Sequence, residues 1–317
     1  MSLRSSLVMS LGFLLLLFLL VLLVGPLSWN EAVEDPSIIW DLRGSRALLA
    51  VAVGGSLAVS GALLQVLFSN PLCEPYTLGI SSGSSLGAVI VGALGLPWVF
   101  QGVAIGALLG ALIFMLPLVL LSSRGRVHGH VLLLAGVMLG FFGSSLVALV
   151  MALQSSSGVS QALLWLLGDL SRASSYGSSG FFLMTLIILL WILRSHGELD
   201  TLLLGEQSAR SLGVEVDSLR RRILLASSAL VALSVAFSGM VGFVGLMAPH
   251  FVRKFFGSAH HRVLPLSFIF GGIFVLAADF FSKIIFPIQE IPVGVITSLV
   301  GVPVYFVFVF GRGSRHV

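Results

Sequence analysis

Residues 238–254 read SGMVGFVGLMAPHFVRK, an apolar stretch that is interrupted by three glycines and Pro249 and closed by Arg253 and Lys254. It lies in an almost uninterrupted apolar run, 223–252, which is too long for one membrane crossing of about 20 residues and rather short for two. Because glycine and proline interrupt helices, the glycines after Ser238 favour two helices with a break between them. A helix that only anchors a protein in lipid does not require such a break.

Composition places the rest of the chain in the membrane as well. The 317 residues are 57% hydrophobic and 9% charged, so a water-soluble globule could not cover its surface with polar groups. Apolar runs lie near 7–27, 46–67, 77–96, 98–121, 131–153, 180–193, 223–238, 239–252, 263–281 and 291–310. We therefore predict an all-α, polytopic membrane protein of about ten transmembrane helices, with residues 1–317 forming a single transmembrane domain.

Positive charge predicts the orientation of these helices, because Lys and Arg are retained on the cytoplasmic side of short loops. With the N-terminus inside, all of the 17 basic residues fall on the cytoplasmic side except Arg43, Arg46, Arg172 and Lys283. We expect an even number of crossings with both termini in the cytoplasm. The net charge of +4 then needs no nucleic acid to explain it.

The sequence predicts no catalytic residue and no metal site. The pairs His128/His130 and His260/His261 lie in predicted loops without nearby cysteines or paired carboxylates, so we interpret them as solvated loop histidines. Neither lysine precedes a serine or threonine, which excludes a phosphate-binding loop of the Gly-Lys-Ser/Thr type. Any ATP must be bound by another chain. A membrane-embedded enzyme is disfavoured, since no constellation of nucleophile and base is present.

The longest polar interval on the predicted inner side lies between the sixth and seventh apolar runs. Within it, Glu206 to Gly213 reads as a short amphipathic helix in which Ala209 and Leu212 share a face and Gly213 supplies the stop. An ordinary solvated loop is one interpretation of this interval. The other is a lever that a partner protein moves from the cytoplasmic side.

Charges on the predicted outer side also allow two interpretations. Arg43 and Arg46 precede the second helix and Lys283 follows the ninth; they either snorkel to the membrane interface or dock an acidic soluble partner. Asp279, four residues before Lys283, has the spacing to neutralise it on a helix. Intramembrane carboxylates also serve proton transport, so a proton-coupled secondary transporter using Asp279 and Glu290 is the alternative function.

Nine short motifs occur in a fixed order between about residues 40 and 310. They are RGSR at 43–46, SGALLQ at 60–65, NPLCEP at 70–75, LGISSG at 78–83, GEQSARSLGV at 205–214, GFVGLMAPH at 242–250, HRVLPLS at 261–267, AAD at 277–279 and IPVGVITSLVGVPVYF at 291–306. Together they resemble the FecCD family, the permeases of bacterial ABC importers for iron-siderophore, haem and cobalamin.

The resemblance implies a type II ABC importer permease in the bacterial plasma (inner) membrane. It implies a homodimer, or a heterodimer with a close paralogue, surrounded by membrane lipid and with the translocation pathway between the subunits. Two cytoplasmic ATPase subunits would bind ATP and Mg²⁺, a soluble substrate-binding protein would dock from outside, and this chain would carry no cofactor. The implied cargo is a metal chelate: iron-siderophore first, otherwise haem or cobalamin.

The resemblance also assigns roles to particular residues. Arg43, Arg46 and Lys283 would dock the binding protein, and Asn70, Pro71 and Leu72 would form the cytoplasmic gate. The coupling loop that seats in the ATPase spans 203–214 and includes Leu203, Leu204, Gly205, Glu206, Ala209, Arg210, Leu212 and Gly213. Two departures from the family pattern, Ser45 between the arginines and Cys73 after Leu72, remove neither a charge nor a gate side chain.

Overall fold

The computed structural model describes residues 3–23, 38–94, 100–122, 129–285 and 291–310. Within these ranges the regular secondary structure is helical, and there is no strand. The α-helices of these ranges are α1 Leu3–Leu23, α2 Ser45–Leu67, α3 Ile80–Ala93, α4 Phe100–Ser122, α5 Gly129–Ala152, α6 Ser156–Leu166, α7 Ser175–Leu193, α8 His196–Leu202, α9 Glu206–Ser211, α10 Val216–Ser238, α11 Val244–Phe256, α12 His260–Ile285 and α13 Val293–Phe310. A π-helical turn, Ile38–Gly44, leads into α2, and a 3₁₀ turn, Pro75–Leu78, leads into α3. The all-α prediction is confirmed.

Each of the ten predicted apolar runs contains a helix. Among the described residues, α1, α2, α4, α5, α7, α10 and α12 are long and apolar enough to cross a membrane, while α3 and α13 are apolar but shorter. The short run at 180–193 belongs to the 19-residue helix α7. The long run at 223–252 divides into α10 and α11 around residues 239–243, as the glycines predict.

Helix α2 forms the centre of the bundle. Almost all of its residues are buried, and it contacts α7, α10, α11 and α12. Small residues make this possible, because a Cβ atom on Gly61 would lie 2.0 Å from the carbonyl oxygen of Gly245. Helices α3 and α4 approach in the same way, since a Cβ on Gly87 would lie 1.9 Å from the carbonyl oxygen of Gly106. Such close backbone contact is typical of helix packing in membranes.

The outer surface of the bundle is apolar. Large side chains of α4, α5 and α7 are exposed, among them Ile113, Phe141 and Ile187. An exposed apolar surface of this extent fits contact with lipid. The location of this chain within a membrane follows from this surface and from the apolar helices.

The sequence did not predict α6 or α8. These helices have 11 and 7 residues, and helices this short carry too few turns for a clear hydrophobic period. Helix α8 directly precedes α9, so the polar interval after α7 contains two short helices where one was predicted.

Candidate functional site

The backbone of the break between α10 and α11 is hydrogen-bonded by side chains of the segment that connects α2 to α3. The N–H of Val241 donates to the hydroxyl oxygen of Tyr76 (2.8 Å), and that hydroxyl donates to the Val241 carbonyl (3.0 Å). The N–H of Phe243 donates to Glu74 Oε1 (2.6 Å). Irregular backbone at membrane depth requires such partners. The stretch at 238–254 and the NPLCEP motif therefore form one structural unit.

Glu74 is the acidic residue of this unit. It lies in the connection between α2 and α3 and accepts the hydrogen bond from the Phe243 N–H. A cavity of about 650 Å³ opens beside it. The cavity is lined by residues from four parts of the chain: Glu74, Tyr76, Leu166, Leu167, Met240, Gly242, Phe243, Gly294, Val295, Ser298 and Leu299.

Gly239 ends α10 in a conformation that no other residue would adopt easily. Its φ is +67°, and a Cβ atom at this position would lie 2.1 Å from the carbonyl oxygen of Trp165. Both the left-handed backbone and the close approach require glycine. The glycine that signalled a helix break in the sequence therefore also brings the end of α6 against the break.

The predicted gate begins where α2 ends. The N–H of Ser69 donates to the Val66 carbonyl and the N–H of Asn70 donates to the Gln65 carbonyl, both at 3.1 Å. This pair of bonds is the Schellman pattern of helix termination, which places one residue in the left-handed region. Here that residue is Ser69, with φ of +47°, at a position where glycine is usual.

Asn70, Pro71 and Leu72 together form the tight turn that follows. The Cys73 N–H donates to the Asn70 carbonyl (3.1 Å), and the Leu72 N–H donates to Asn70 Oδ1 (3.0 Å). Asparagine at the first position of a turn and proline at the second suit this geometry. The turn presents the Leu72 side chain, which is 57% exposed, at its tip. The structure thus brings the three predicted gate residues together, and their gating role stays a prediction.

Replacing Ser69 with glycine is expected to stabilise the protein by about 0.5–1 kcal/mol, because glycine adopts positive φ without steric cost. The free energy of unfolding in detergent measures this effect. Ser69→Ala is the control, since it keeps the Cβ atom and should bring no gain. Equal stabilisation by both variants would contradict the proposed role of the backbone conformation.

The predicted helix of the coupling loop is present as α9. It ends in a Schellman pattern, in which the Val214 N–H donates to the Ala209 carbonyl (3.0 Å) and the Gly213 N–H donates to the Arg210 carbonyl (3.1 Å). Gly213 has φ of +85°, so it supplies the stop that the sequence predicted.

The prediction that Ala209 and Leu212 share a face is wrong. Ala209 is fully buried, whereas Leu212 is 66% exposed. Leu212 follows the last helical residue, so the helical spacing of i and i+3 no longer sets its direction. Leu203 and Leu204 are exposed as well. The leucines at 203, 204 and 212 therefore make the apolar part of the exposed surface of this segment, beside exposed polar side chains such as Gln207 and Arg210.

Two arginines at the start of α10 hold the short helices in place. Arg220, only 2% exposed, binds Glu206 of α9 at 2.5 Å. Arg222 forms an ion pair with Glu198 of α8 and donates to Ser195 Oγ at 2.6 Å. Both helices are therefore tied to a long helix of the bundle.

At the opposite end of the bundle, two of the predicted docking residues share one carboxylate. Arg46 of α2 donates to Asp279 Oδ1 from Nη2 (2.8 Å) and Nε (3.0 Å), and Lys283 Nζ lies 2.8 Å from Asp279 Oδ2. Asp279 is fully buried. The expectation that Asp279 neutralises Lys283 is confirmed, and Arg46 is a second cation that the sequence did not connect with it. Glu290 lies outside the described residues.

Arg43, the third predicted docking residue, is 7% exposed. Its Nη1 donates to the carbonyl oxygens of Leu22 (3.0 Å) and Leu23 (3.4 Å) at the end of α1. An arginine in this position satisfies carbonyls that lack partners inside their own helix. The structure therefore gives Arg43 a contact with α1, and the docking role of all three residues stays a prediction.

The comparisons with known proteins agree over nearly the whole chain. The profile of the FecCD transport family matches residues 9–312. The vitamin B12 import system permease protein BtuC of Vibrio cholerae serotype O1 is 36% identical over 95% of this chain and 92% of that protein. The uncharacterized ABC transporter permease protein YvrB of Bacillus subtilis is 39% identical over 90% of this chain and 83% of that protein.

Solved structures show the same fold. A metal-chelate type ABC transporter in an inward-facing conformation matches with a TM-score of 0.89 and 29% identity, over 98% of this chain and 99% of that chain. PsaBC from Streptococcus pneumoniae, solved in complex with a Fab, matches with a TM-score of 0.58 and 16% identity, over 89% and 94% of the two chains. The second likeness shows the fold alone.

Proposed function

Because the chain belongs to the FecCD transport family, we propose that it carries a corrinoid of the vitamin B12 type as the permease subunit of an ABC importer. The observation that carries the choice of cargo is the identity of 36–38% to BtuC proteins of three Vibrio species. It favours cobalamin over haem and over the iron-siderophore, which the family resemblance places first. The chain is a transport subunit and not an enzyme, and ATP hydrolysis belongs to a separate ATPase subunit.

The assembly that we propose is a dimer of this chain, or of this chain with a close paralogue, in the bacterial inner membrane. Two ATPase subunits with bound ATP and Mg²⁺ lie on the cytoplasmic side, and a soluble binding protein docks on the other. Charge supports the orientation with both termini inside. Arg46 lies at the start of α2, and Arg253, on the predicted inner side, contacts Gln65 near the end of α2, so the two predicted sides lie at opposite ends of the bundle.

The coupling step that we propose begins at the exposed leucines of the segment 203–212. Closure of the ATPase subunits pushes on these side chains and displaces α9. The ion pair between Glu206 and Arg220 passes the movement to α10, and the pair between Glu198 and Arg222 moves α8 with it. Since α10 packs on α2, the movement reaches the turn at Asn70 to Leu72, where α2 ends.

The cavity beside Glu74 is our candidate for part of the translocation pathway. It adjoins the gate segment, and apart from Glu74 its lining carries few polar groups. A mostly apolar lining lets a large ligand pass without a deep binding well. The second subunit of the dimer would complete the passage.

Docking of the binding protein is expected to depend on Arg43 and Arg46. In variants whose size-exclusion profiles show that they fold, changing either to glutamine should weaken docking about tenfold, roughly 1.4 kcal/mol, and should reduce the dependence of the association rate on salt. Surface plasmon resonance with the purified transporter measures both. Arg172→Gln is the matched control, because this arginine pairs with Asp169 on the same side and stands outside the predicted set. Equal weakening by the control would contradict the assignment.

The cargo is tested by uptake in a strain that lacks its own vitamin B12 permease. The strain receives this chain together with its ATPase subunit and binding protein, and uptake of labelled cyanocobalamin, a ferric siderophore and haem is compared. We expect uptake of cyanocobalamin alone. Uptake of the siderophore or haem without cyanocobalamin would overturn the choice of cargo and leave the permease assignment standing.

A further inference from the structure

Two histidines and an aspartate meet at the predicted cytoplasmic end of the bundle. One donor atom each from His196, Asp200 and His261 lies within 4.8 Å of the others. His196 and Asp200 are four residues apart on α8 and therefore lie on the same face of that helix. His261 is the second residue of α12, and its ring centroid lies 5.9 Å from that of His196. The cluster thus joins two helices.

The aspartate of this cluster is held in place from behind by His260. Asp200 Oδ1 accepts hydrogen bonds from the backbone N–H of His260 (2.9 Å) and from its Nδ1 (2.6 Å). His260 is fully buried, so the orientation of the carboxylate is fixed and its second oxygen stays available. Carboxylates that ligate metal ions are commonly hydrogen-bonded in this way.

The cluster is open to solvent. His196 is exposed, and Asp200 and His261 are partly exposed, so an ion can enter from the cytoplasmic side. Arg262 Nε donates a hydrogen bond to His261 Nε2 at 3.3 Å, which leaves Nδ1 of that ring for a metal ion. Two neutral imidazoles and one carboxylate supply a single negative charge to a divalent ion, as in zinc sites with two histidines and one glutamate.

We propose that His196, Asp200 and His261 bind one divalent transition-metal ion of the Zn²⁺ class, which ties α8 to α12. Imidazole nitrogen with carboxylate oxygen is a donor set that zinc accepts, with a fourth position left for water. Helix α8 leads directly into α9, so a bound ion restrains the segment that the ATPase subunits are proposed to move. This site is independent of the cargo and of the docking residues.

Metal binding is tested on the full-length chain, purified in detergent through a tag without histidine. Equilibrium dialysis measures Zn²⁺, and Co²⁺ added in its place reports the ligand geometry by visible absorption. We expect one ion per chain and at least about tenfold weaker binding in each of His196→Ala and His261→Ala. His130→Ala is the control, since His130 is an exposed histidine at the start of α5 outside the cluster, and it should bind as the unmodified chain does.

The restraint on α8 is tested by hydrogen exchange of the same samples. Zn²⁺ should slow amide exchange in residues 196–214 of the unmodified chain and leave exchange in the two cluster variants unchanged, while size-exclusion profiles confirm that these variants fold. Absence of stoichiometric binding at micromolar Zn²⁺ would overturn the site. Binding that both cluster variants retain, or exchange that Zn²⁺ does not slow, would overturn it equally.

Discussion

The Arg220→Met variant is expected to lose coupled uptake, by about tenfold or more, because it breaks the contact between α9 and the membrane helices. Arg220 is almost fully buried and binds Glu206 at 2.5 Å and Asp217 at 3.6 Å. Removing one partner of a buried ion pair costs about 3–5 kcal/mol. We expect a loss of stability below this range, because the side chains of Glu206 and Asp217, which remain charged, are each 35% exposed.

Three measurements separate coupling from folding in this variant. Copurification with the ATPase subunits measures assembly, and ATP hydrolysis measures the activity of those subunits. Uptake into vesicles measures the complete transport cycle. We expect assembly and hydrolysis to persist while uptake is lost. Arg221→Gln is the control, because Arg221 is the exposed neighbour of Arg220 on α10 and should leave uptake unchanged. Normal uptake by Arg220→Met would contradict the proposed route from α9 to α10.

The Asp279→Asn variant is expected to lose about 3–5 kcal/mol of stability, because it leaves two cations without their shared carboxylate. Asp279 is fully buried between Arg46 and Lys283, whose side chains are themselves only 12% and 11% exposed. The free energy of unfolding in detergent measures the loss. We expect little folded protein at temperatures where the unmodified chain is stable.

A triple variant provides the matched control for Asp279. Arg46→Met, Asp279→Leu and Lys283→Met together remove every charge of the group, and buried ion groups replaced by apolar side chains often retain or gain stability. We therefore expect the triple variant to recover most of the stability that Asp279→Asn loses. If Asp279→Asn were as stable as the unmodified chain and yet failed in uptake, the carboxylate would act in transport, as the proton-coupled alternative requires.

Features that depend on neighbouring residues could be predicted from the sequence. The apolar runs predicted the long helices, the glycines after Ser238 predicted the division between α10 and α11, and Gly213 predicted the end of α9. Each of these signals lies within one or two helical turns of the structure that it specifies. Backbone preferences and hydrophobic length act at this range, so the sequence alone carries them.

Contacts between distant parts of the chain could not be predicted in the same way. Arg46 and Asp279 are 233 residues apart, and Tyr76 and Val241 are 165 residues apart. The local sequence around each residue does not indicate its partner, because the partners meet only when α2 packs against α11 and α12. The sequence therefore identified Asp279 as the partner of Lys283 at helical spacing and missed Arg46.

The histidines at the start of α12 are another case in which a contact between residues distant in the sequence could not be predicted. The sequence shows no carboxylate near His260 and His261 and predicts solvated side chains, which is wrong for His260 because it is fully buried. Asp200 lies 60 residues before His260 in the chain, and α8, which carries it, was not predicted. Only the fold shows that one histidine is buried against this carboxylate and the other faces it.

The most direct test of the central claim is uptake by proteoliposomes that contain this chain and its ATPase subunit. The binding protein loaded with cyanocobalamin is added outside, ATP is enclosed or omitted, and a proton gradient is applied in a separate arm. We predict accumulation that requires both ATP and the binding protein and does not respond to the proton gradient. Accumulation driven by the proton gradient without ATP would contradict the assignment of this chain as the permease of an ATP-driven importer.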